Sequence, residues 1–430
     1  MAASGCVRGI NEETLMESLK GYAGQGHVPA AARKLTKAGL AFVMVLLGVS
    51  YMFNSMDRQV FPALLGGIRT TYGLTLAQSG FASTVFTINV AIFGAVAGWF
   101  LARFSRRSII VSGLVGYSLF TLATPLAQGF LSLSVYRALT GVGEALQIAT
   151  IFSCMGSYFG RTRGTAMGFM QAFFGFGALI GPIVGTHLAA SLGSWQMPLY
   201  LFGIAGIAIA VAVAFLIPSD FLEAKETGST TASKVSYEHT AIPRLLNRNV
   251  LLGSISFALV GLAFFSYTAL YATFLREHLH YSAVSAGSAL GMYGLGAMGA
   301  VVGGWAGDRL GRWGVFAGLA LLAAASFALF NGATLPLTHS VLSFIFGLMV
   351  SGFLYTRFVS IIQRSAHPSQ IGYAVSAAMA GFYISGPLAG YLFGKLVEVG
   401  SWSMAANVMI FAPPCIAIVL MCFFDFSRLR

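Results

Sequence analysis

Gly304-Trp305-Ala306-Gly307-Asp308-Arg309-Leu310-Gly311-Arg312 follows one apolar run, and Gly98-Trp99-Phe100-Leu101-Ala102-Arg103-Phe104-Ser105-Arg106 follows another, at an offset of 206 residues (304 − 98). A second pair, Gly181-Pro182-Ile183-Val184-Gly185 and Gly386-Pro387-Leu388-Ala389-Gly390, repeats at an offset of 205 (386 − 181). Chance matches would scatter in spacing, so two motifs at nearly one offset mark an internal duplication. The chain is expected to fold as two equivalent halves.

Around these motifs the 430 residues are 57% hydrophobic and only 9% charged, with a mean hydropathy of +0.79, outside the range of soluble domains. Apolar runs are read at 39–66, 77–101, 107–126, 131–158, 165–189, 196–217, 249–275, 285–306, 313–331, 338–363, 371–394 and 402–425. Each is long enough to cross about 30 Å of hydrocarbon as a helix, and none alternates as a barrel strand would. The expected fold is an all-α membrane protein with twelve transmembrane helices in two pseudo-symmetric six-helix bundles. Its expected parts are an N-terminal tail at 1–37, bundles at 38–217 and 249–426, a Ser-, Thr-, Lys- and Glu-rich linker at 218–248, and a short C-terminus at 427–430.

The formal charge of +12 reports topology rather than a nucleic-acid partner, because the basic residues sit on alternate loops. Arg33, Lys34, Lys37, Arg103, Arg106, Arg107, Arg161, Arg163, Arg244, Arg248, Arg309, Arg312, Arg364, Arg428 and Arg430 fall on one side, and Arg69, Arg276 and Lys395 on the other. By the positive-inside rule both termini are cytoplasmic, and the expected location is the cell (inner) membrane. Residues 1–37 lack a cleavable signal pattern, although Leu15, Met16, Leu19 and Tyr22 fit one face of a surface helix. Cys6, Cys154, Cys415 and Cys422 have no metal-ligand spacing, and the three in spans read as buried hydrophobes.

A charge at mid-membrane costs about 2.5 to 3.5 kcal/mol, so charges inside spans face partners or water. Asp57 and Arg58 lie in the first span, and Arg137 and Glu144 in the fourth. Arg137, Gly141, Glu144 and Ile148 share one helical stripe, with the two charges about 10.5 Å apart along the axis. Asp57 and Arg58 point about 100° apart, so their partners must come from other helices. Burial disfavours a charged carboxylate and a nearby arginine favours it, which suits Glu144 to proton exchange. The planar fork of Arg58 suits a carboxylate or a phosphate. The alternative is that all four form a static interhelical salt-bridge cluster.

Asn54 and Gln171 are hydrogen-bonding groups at cavity depth, suited either to substrate or to bridging helices. Tyr267 and Tyr271 share a face at i, i+4 and, with Tyr293, are candidates to line the second half of the cavity; packing is the competing explanation. Arg357 is a gate or substrate group, or else snorkels to the interface. His187 and His339 fall near outer span ends, where a wet, inert histidine is expected.

The loop after the second span and its repeat resemble the signature of the major facilitator superfamily, and the resemblance covers essentially the whole chain. Its gating positions here are Gly98, Arg103 and Arg106 in the first copy and Gly304, Asp308, Arg309 and Arg312 in the second. The first copy departs from the pattern at Ala102 and Ser105, where the family has aspartate and glycine, so the charge network that locks the cytoplasmic face is expected to be incomplete. Asp57-Arg58, Pro62, Tyr72-Gly73-Leu74-Thr75 and the Arg137–Glu144 stripe resemble the anion:cation symporter branch. That resemblance implies that Arg58 holds a substrate carboxylate while Asp57 and Glu144, with Arg137 beside them, carry protons. Asp57-Arg58 with Gly-Val-Gly-Glu-Ala at 141–145 also resembles Spinster-type lipid exporters, which implies an amphiphilic cargo. No P-loop, catalytic triad or metal-spaced set is present, so neither an ATP-driven pump nor an enzyme is expected. With the resemblance, the expectation is a monomeric carrier of an organic anion and protons in the lipid bilayer, without a cofactor.

Overall fold

Thr36 starts the first helix, its hydroxyl accepting the Gly39 N–H at 3.1 Å, and the helix then runs unbroken from Lys37 to Tyr72. This computed structural model describes residues 36–159, 163–223, 247–367 and 370–429; the tail before Thr36, most of the expected linker, Arg430 and the side chain of Asp308 lie outside the described residues. The spanning helices are α1 (Lys37–Tyr72), α2 (Leu76–Arg103), α3 (Arg106–Leu126), α4 (Phe130–Phe159), α5 (Arg163–Leu192) and α6 (Gln196–Leu216), then a short turn of helix at Ser219–Leu222. The second six are α7 (Arg248–Glu277), α8 (from Ala283–Ala297 onward), α9 (Arg309–Asn331), α10 (Pro336–Ser365), α11 (Ile371–Val399) and α12 (Trp402–Cys422).

Among the described residues, eleven of these helices are apolar and long enough to span. The eighth is interrupted after Ala297, with helix resuming at Ala300. The chain reverses at Gly311, whose φ of 55° and ψ of −136° are open to glycine but strained for a residue with a Cβ. The repeat therefore does not turn identically. Ser105, at the matching place, has φ −64° and caps α3 by accepting the Ser108 N–H at 3.1 Å.

Packing follows the duplication. Helix α1 lies along α5 as α7 lies along α11, and α2 meets α4 as α8 meets α10. The halves join through two interfaces that exchange under the same symmetry, α2 with α11 and α5 with α8. Helix α7 is buried along most of its length, with Phe257, Tyr267, Tyr271 and Phe274 in the core. Large exposed side chains such as Phe215, Leu131, Ile384 and Val419 sit on spanning helices, where they contact lipid rather than water. The chain is a multi-pass membrane protein. Of the cysteines expected to be buried, Cys154 is, Cys415 is half-buried and Cys422 is exposed.

Candidate functional site

Helices α1 and α4 are fastened by crosswise ion pairs. Asp57 Oδ2 accepts from Arg137 Nη1 at 3.0 Å, while Arg58 Nε donates to Glu144 Oε2 at 2.8 Å. Adjacent residues on α1 thus reach two charges seven positions apart on α4, as their divergent directions require. Asp57 also accepts a hydrogen bond from Thr121 on α3. Both guanidinium groups lie by the ring of Phe86, Arg58 at 5.2 Å and Arg137 at 5.6 Å, and Arg137 stacks over Phe61 at 4.6 Å. One turn nearer the chain termini, Asn54 Nδ2 donates to Gln147 Oε1 at 2.9 Å and Gln147 Nε2 to the Ser50 carbonyl at 3.1 Å.

Beside this cluster, between the halves, is a cavity of about 560 Å³ lined by α1, α2, α4, α5, α7, α8, α10 and α11. Among the described residues, Arg58 is the one charged side chain in its lining. Glu144, Arg137 and Asp57 stand behind the wall, at 0%, 1% and 3% exposure. Phe86 and Phe174 flank Arg58, and Phe264, Phe382 and Tyr383 face it from the other half. Pro62, also in the lining, has no N–H to give the Arg58 carbonyl, which loosens α1 at this depth.

The cavity reaches exposed Gln363 near the end of α10 and Val375 near the start of α11, so it opens toward the face that carries both chain ends. At the opposite end the halves close backbone to backbone. A Cβ on Gly80 of α2 would sit 2.0 Å from the Gly390 carbonyl of α11, and one on Gly287 of α8 would sit 2.9 Å from the Pro182 carbonyl of α5. Two polar links span the same end: Arg69 pairs with Glu277, and Glu398 Oε1 accepts the Ala77 N–H at 2.8 Å.

Of the residues singled out by sequence, Arg58, Gln171 and Tyr293 reach the cavity. Gln171 accepts from the Tyr51 hydroxyl at 3.1 Å, and Tyr293 bonds Ser351, which lies in a π-helical stretch at Leu348–Leu354 of α10. Asn54 does not line it, being spent on α4. Tyr267 and Tyr271 do not line it either. Their shared face turns into the second bundle, where the Tyr267 hydroxyl bonds Ser343 Oγ and the Tyr271 hydroxyl lies 3.0 Å from His339 Nδ1. His339 is therefore buried rather than wet, its Nε2 3.0 Å from the Ala333 carbonyl.

Arg357 is buried away from the cavity, and its Nη2 donates to the Gly311 carbonyl at 3.1 Å, so it braces the turn between α8 and α9. Among the gating positions, Arg106 bonds the Leu222 carbonyl at 3.1 Å and Ser157 Oγ at 2.9 Å, both within its own half. Arg103 lies over Trp99 at 4.6 Å and Arg312 over Trp313 at 5.2 Å. A Cβ on Gly98 would meet nothing within 4 Å, Arg309 is exposed, and Gly304 lies within helix. Sequence reading missed Gln59, Phe86, Phe382 and Tyr383. Gln59 was discoverable, since Asp57-Arg58-Gln59 are consecutive polar residues sweeping about 200° of an apolar helix.

Among the described residues no group of His, Cys, Asp and Glu is placed to hold a metal. The family model of the Major Facilitator Superfamily matches residues 47–390. A probable 4-methylmuconolactone transporter of Cupriavidus pinatubonensis is 32% identical over 170 residues, so the match spans only 39% of either chain. The cis,cis-muconate transport protein of Acinetobacter baylyi is 24% identical over 81% of this chain and 88% of its own. In fold, the chain resembles the crystal structure of a bacterial homolog of the human lysosomal transporter Spinster in an inward-facing, occupied conformation, with a TM-score of 0.72 at 17% identity, covering 92% of this chain and 99% of the other.

Proposed function

The chain belongs to the Major Facilitator Superfamily, and on that premise we propose that it moves a small organic carboxylate across the membrane by alternating access, coupled to protons. One observation carries this reading: among the described residues the sole charge on the cavity wall is Arg58, and its partner Glu144 is sealed behind it. A substrate carboxylate and Glu144 compete for one guanidinium. A proton on Glu144 releases Arg58 to the substrate, and departure of the substrate returns Arg58 to Glu144 as the proton leaves. Proton and substrate then travel together, which is symport.

Asp57 has a different part in this scheme. Held by Arg137 and Thr121 behind the wall, it fixes Arg137 and keeps α4 in register on α1. The units that rock are the bundles at 38–217 and 249–426, joined through 218–248. The excess of arginine on the loops of the terminal face supports cytoplasmic termini in a cell membrane, which makes the open side of the cavity the cytoplasmic one. The working unit is a monomer. The names of the muconate and muconolactone relatives support a carboxylate cargo.

Purified protein in liposomes should accumulate labelled organic acid when the proton gradient is directed inward, and a protonophore should abolish the accumulation. Accumulation indifferent to the protonophore would remove the coupling. A second reading, export of a lysolipid, draws on the mostly aromatic walls and the Spinster-like fold; displacement of the acid by lysolipid but not by other acids would favour it.

A further inference from the structure

Resting on the carboxylate reading above, we infer that the substrate is a hydroxylated aromatic monocarboxylate and that Gln59 is the residue that reads its hydroxyl. Three observations converge. The first is the charge count of the wall: Arg58 neutralises one carboxylate, and a second carboxylate would be buried among phenyl rings without a partner, at a cost several times that of an unmade hydrogen bond.

The second is the shape of the walls. Phe264 stacks on Tyr293 at 5.4 Å and 28°, and lies within 21° of parallel to Phe382 at 6.1 Å. Flat ring faces set nearly parallel, opposite an arginine that itself stacks against Phe86, match a planar ring better than a puckered sugar.

The third is the hydrogen bonding. Most hydroxyls at the depth of Arg58 are already committed: Tyr51 to Gln171, Tyr293 to Ser351, and Ser83 and Thr268 to carbonyls of their own helices. Two wall residues differ: Tyr383, whose hydroxyl lies beside Arg58, and Gln59. Gln59 follows Arg58 in the chain, lines the same cavity, is 4% exposed, and its Oε1 is buried with no hydrogen-bond partner. A buried acceptor left unmade is costly, and a ligand O–H that fills it recovers that cost. A site built this way rejects the analogue without the hydroxyl, because that analogue leaves the amide unmet.

The test is equilibrium binding to the full-length protein in nanodiscs, with benzoate, its three monohydroxy isomers, and the methyl ether of the best isomer as probes. At least one hydroxybenzoate should bind about tenfold or more tightly than both benzoate and the methyl ether, since the ether cannot donate. In Gln59→Leu and Gln59→Met that ratio should fall toward one, and Gln59→Asn should keep part of it. A purely structural role for Gln59 would shift all probes together and leave the ratio standing, which would overturn the proposal. Equal binding of benzoate and every hydroxybenzoate to the wild type would also overturn it, as would preference for hexuronates over all arenes, while leaving carboxylate transport intact. If no carboxylate binds and Arg58→Ala changes nothing, the transport reading itself fails.

Discussion

Arg58 and Glu144 meet at 2.8 Å, yet the two ends of the pair have different surroundings. Glu144 is wholly buried and absent from the cavity wall, whereas Arg58 borders the cavity, with Tyr383 of the other half beside it. A charge removed from water is stable only while paired, so whichever anion holds Arg58 decides whether Glu144 is stable ionised. In the proposed cycle, that arrangement is what would link occupancy of the cavity to protonation of a residue the substrate does not touch.

Replacing Glu144 with Gln preserves its shape and removes the competitor for Arg58. Uptake driven by a proton gradient in liposomes should fall at least about tenfold, while exchange of labelled for unlabelled acid across the same membranes persists, since exchange needs no net proton movement. Substrate affinity of Glu144→Gln should also lose its dependence on pH. Accumulation at the wild-type level would exclude Glu144 from coupling.

The second pair should behave as scaffold. Asp57→Asn or Arg137→Met alone leaves its partner buried and unpaired, which costs about 3–5 kcal/mol, and thermal unfolding in detergent should show both variants well below wild type. Removing both charges together should recover most of that loss, because a buried pair is often replaceable by neutral side chains. Strictly additive losses in the double variant would show that the two residues are not coupled.

Several of these relationships were legible in the sequence, and the reasons others were not are specific. Charges in apolar spans must find partners, which groups Asp57, Arg58, Arg137 and Glu144 by their sequence positions alone. The crosswise pairing was not legible, because it depends on how far α4 is shifted along α1. Helical side chains lean toward the N-terminus, which carries Arg58 back toward Glu144 rather than out to Arg137. Periodicity put Tyr267 and Tyr271 on one face but could not tell the face toward the cavity from the face toward α10. The break after Ala297 was hidden inside a run that reads as uniformly apolar. The duplication was the most informative signal, because a shared offset survives even where individual residues such as Ser105 diverge.

Closure of the end remote from the termini rests on glycines that permit backbone contact. A valine at Gly80 or Gly390 has no room, since the first added atom already lies 2.0 Å from the facing carbonyl. Gly80→Val should hold the halves apart at that end. In a cysteine-free background, a single cysteine at Thr84, which is 1% exposed, should become reactive to an impermeant thiol reagent applied from that side. Unchanged labelling, with transport retained, would show that the seam does not control closure.

The turn between α8 and α9 makes the two repeats separable by mutation. Gly311→Ala forces a Cβ into φ 55°, ψ −136°, a conformation costing an L-residue about 1–3 kcal/mol, and it also displaces the carbonyl that Arg357 holds at 3.1 Å. Ser105→Gly at the equivalent loop removes only a cap at φ −64°, for which glycine costs a few tenths of a kcal/mol. Thermal unfolding should therefore drop clearly for Gly311→Ala and hardly at all for Ser105→Gly. Arg357→Gln should follow Gly311→Ala, lowering stability and turnover while leaving KM for the acid near wild type, because its side chain braces the turn and does not reach the cavity. A large rise in KM for Arg357→Gln with stability intact would instead place that arginine at the substrate.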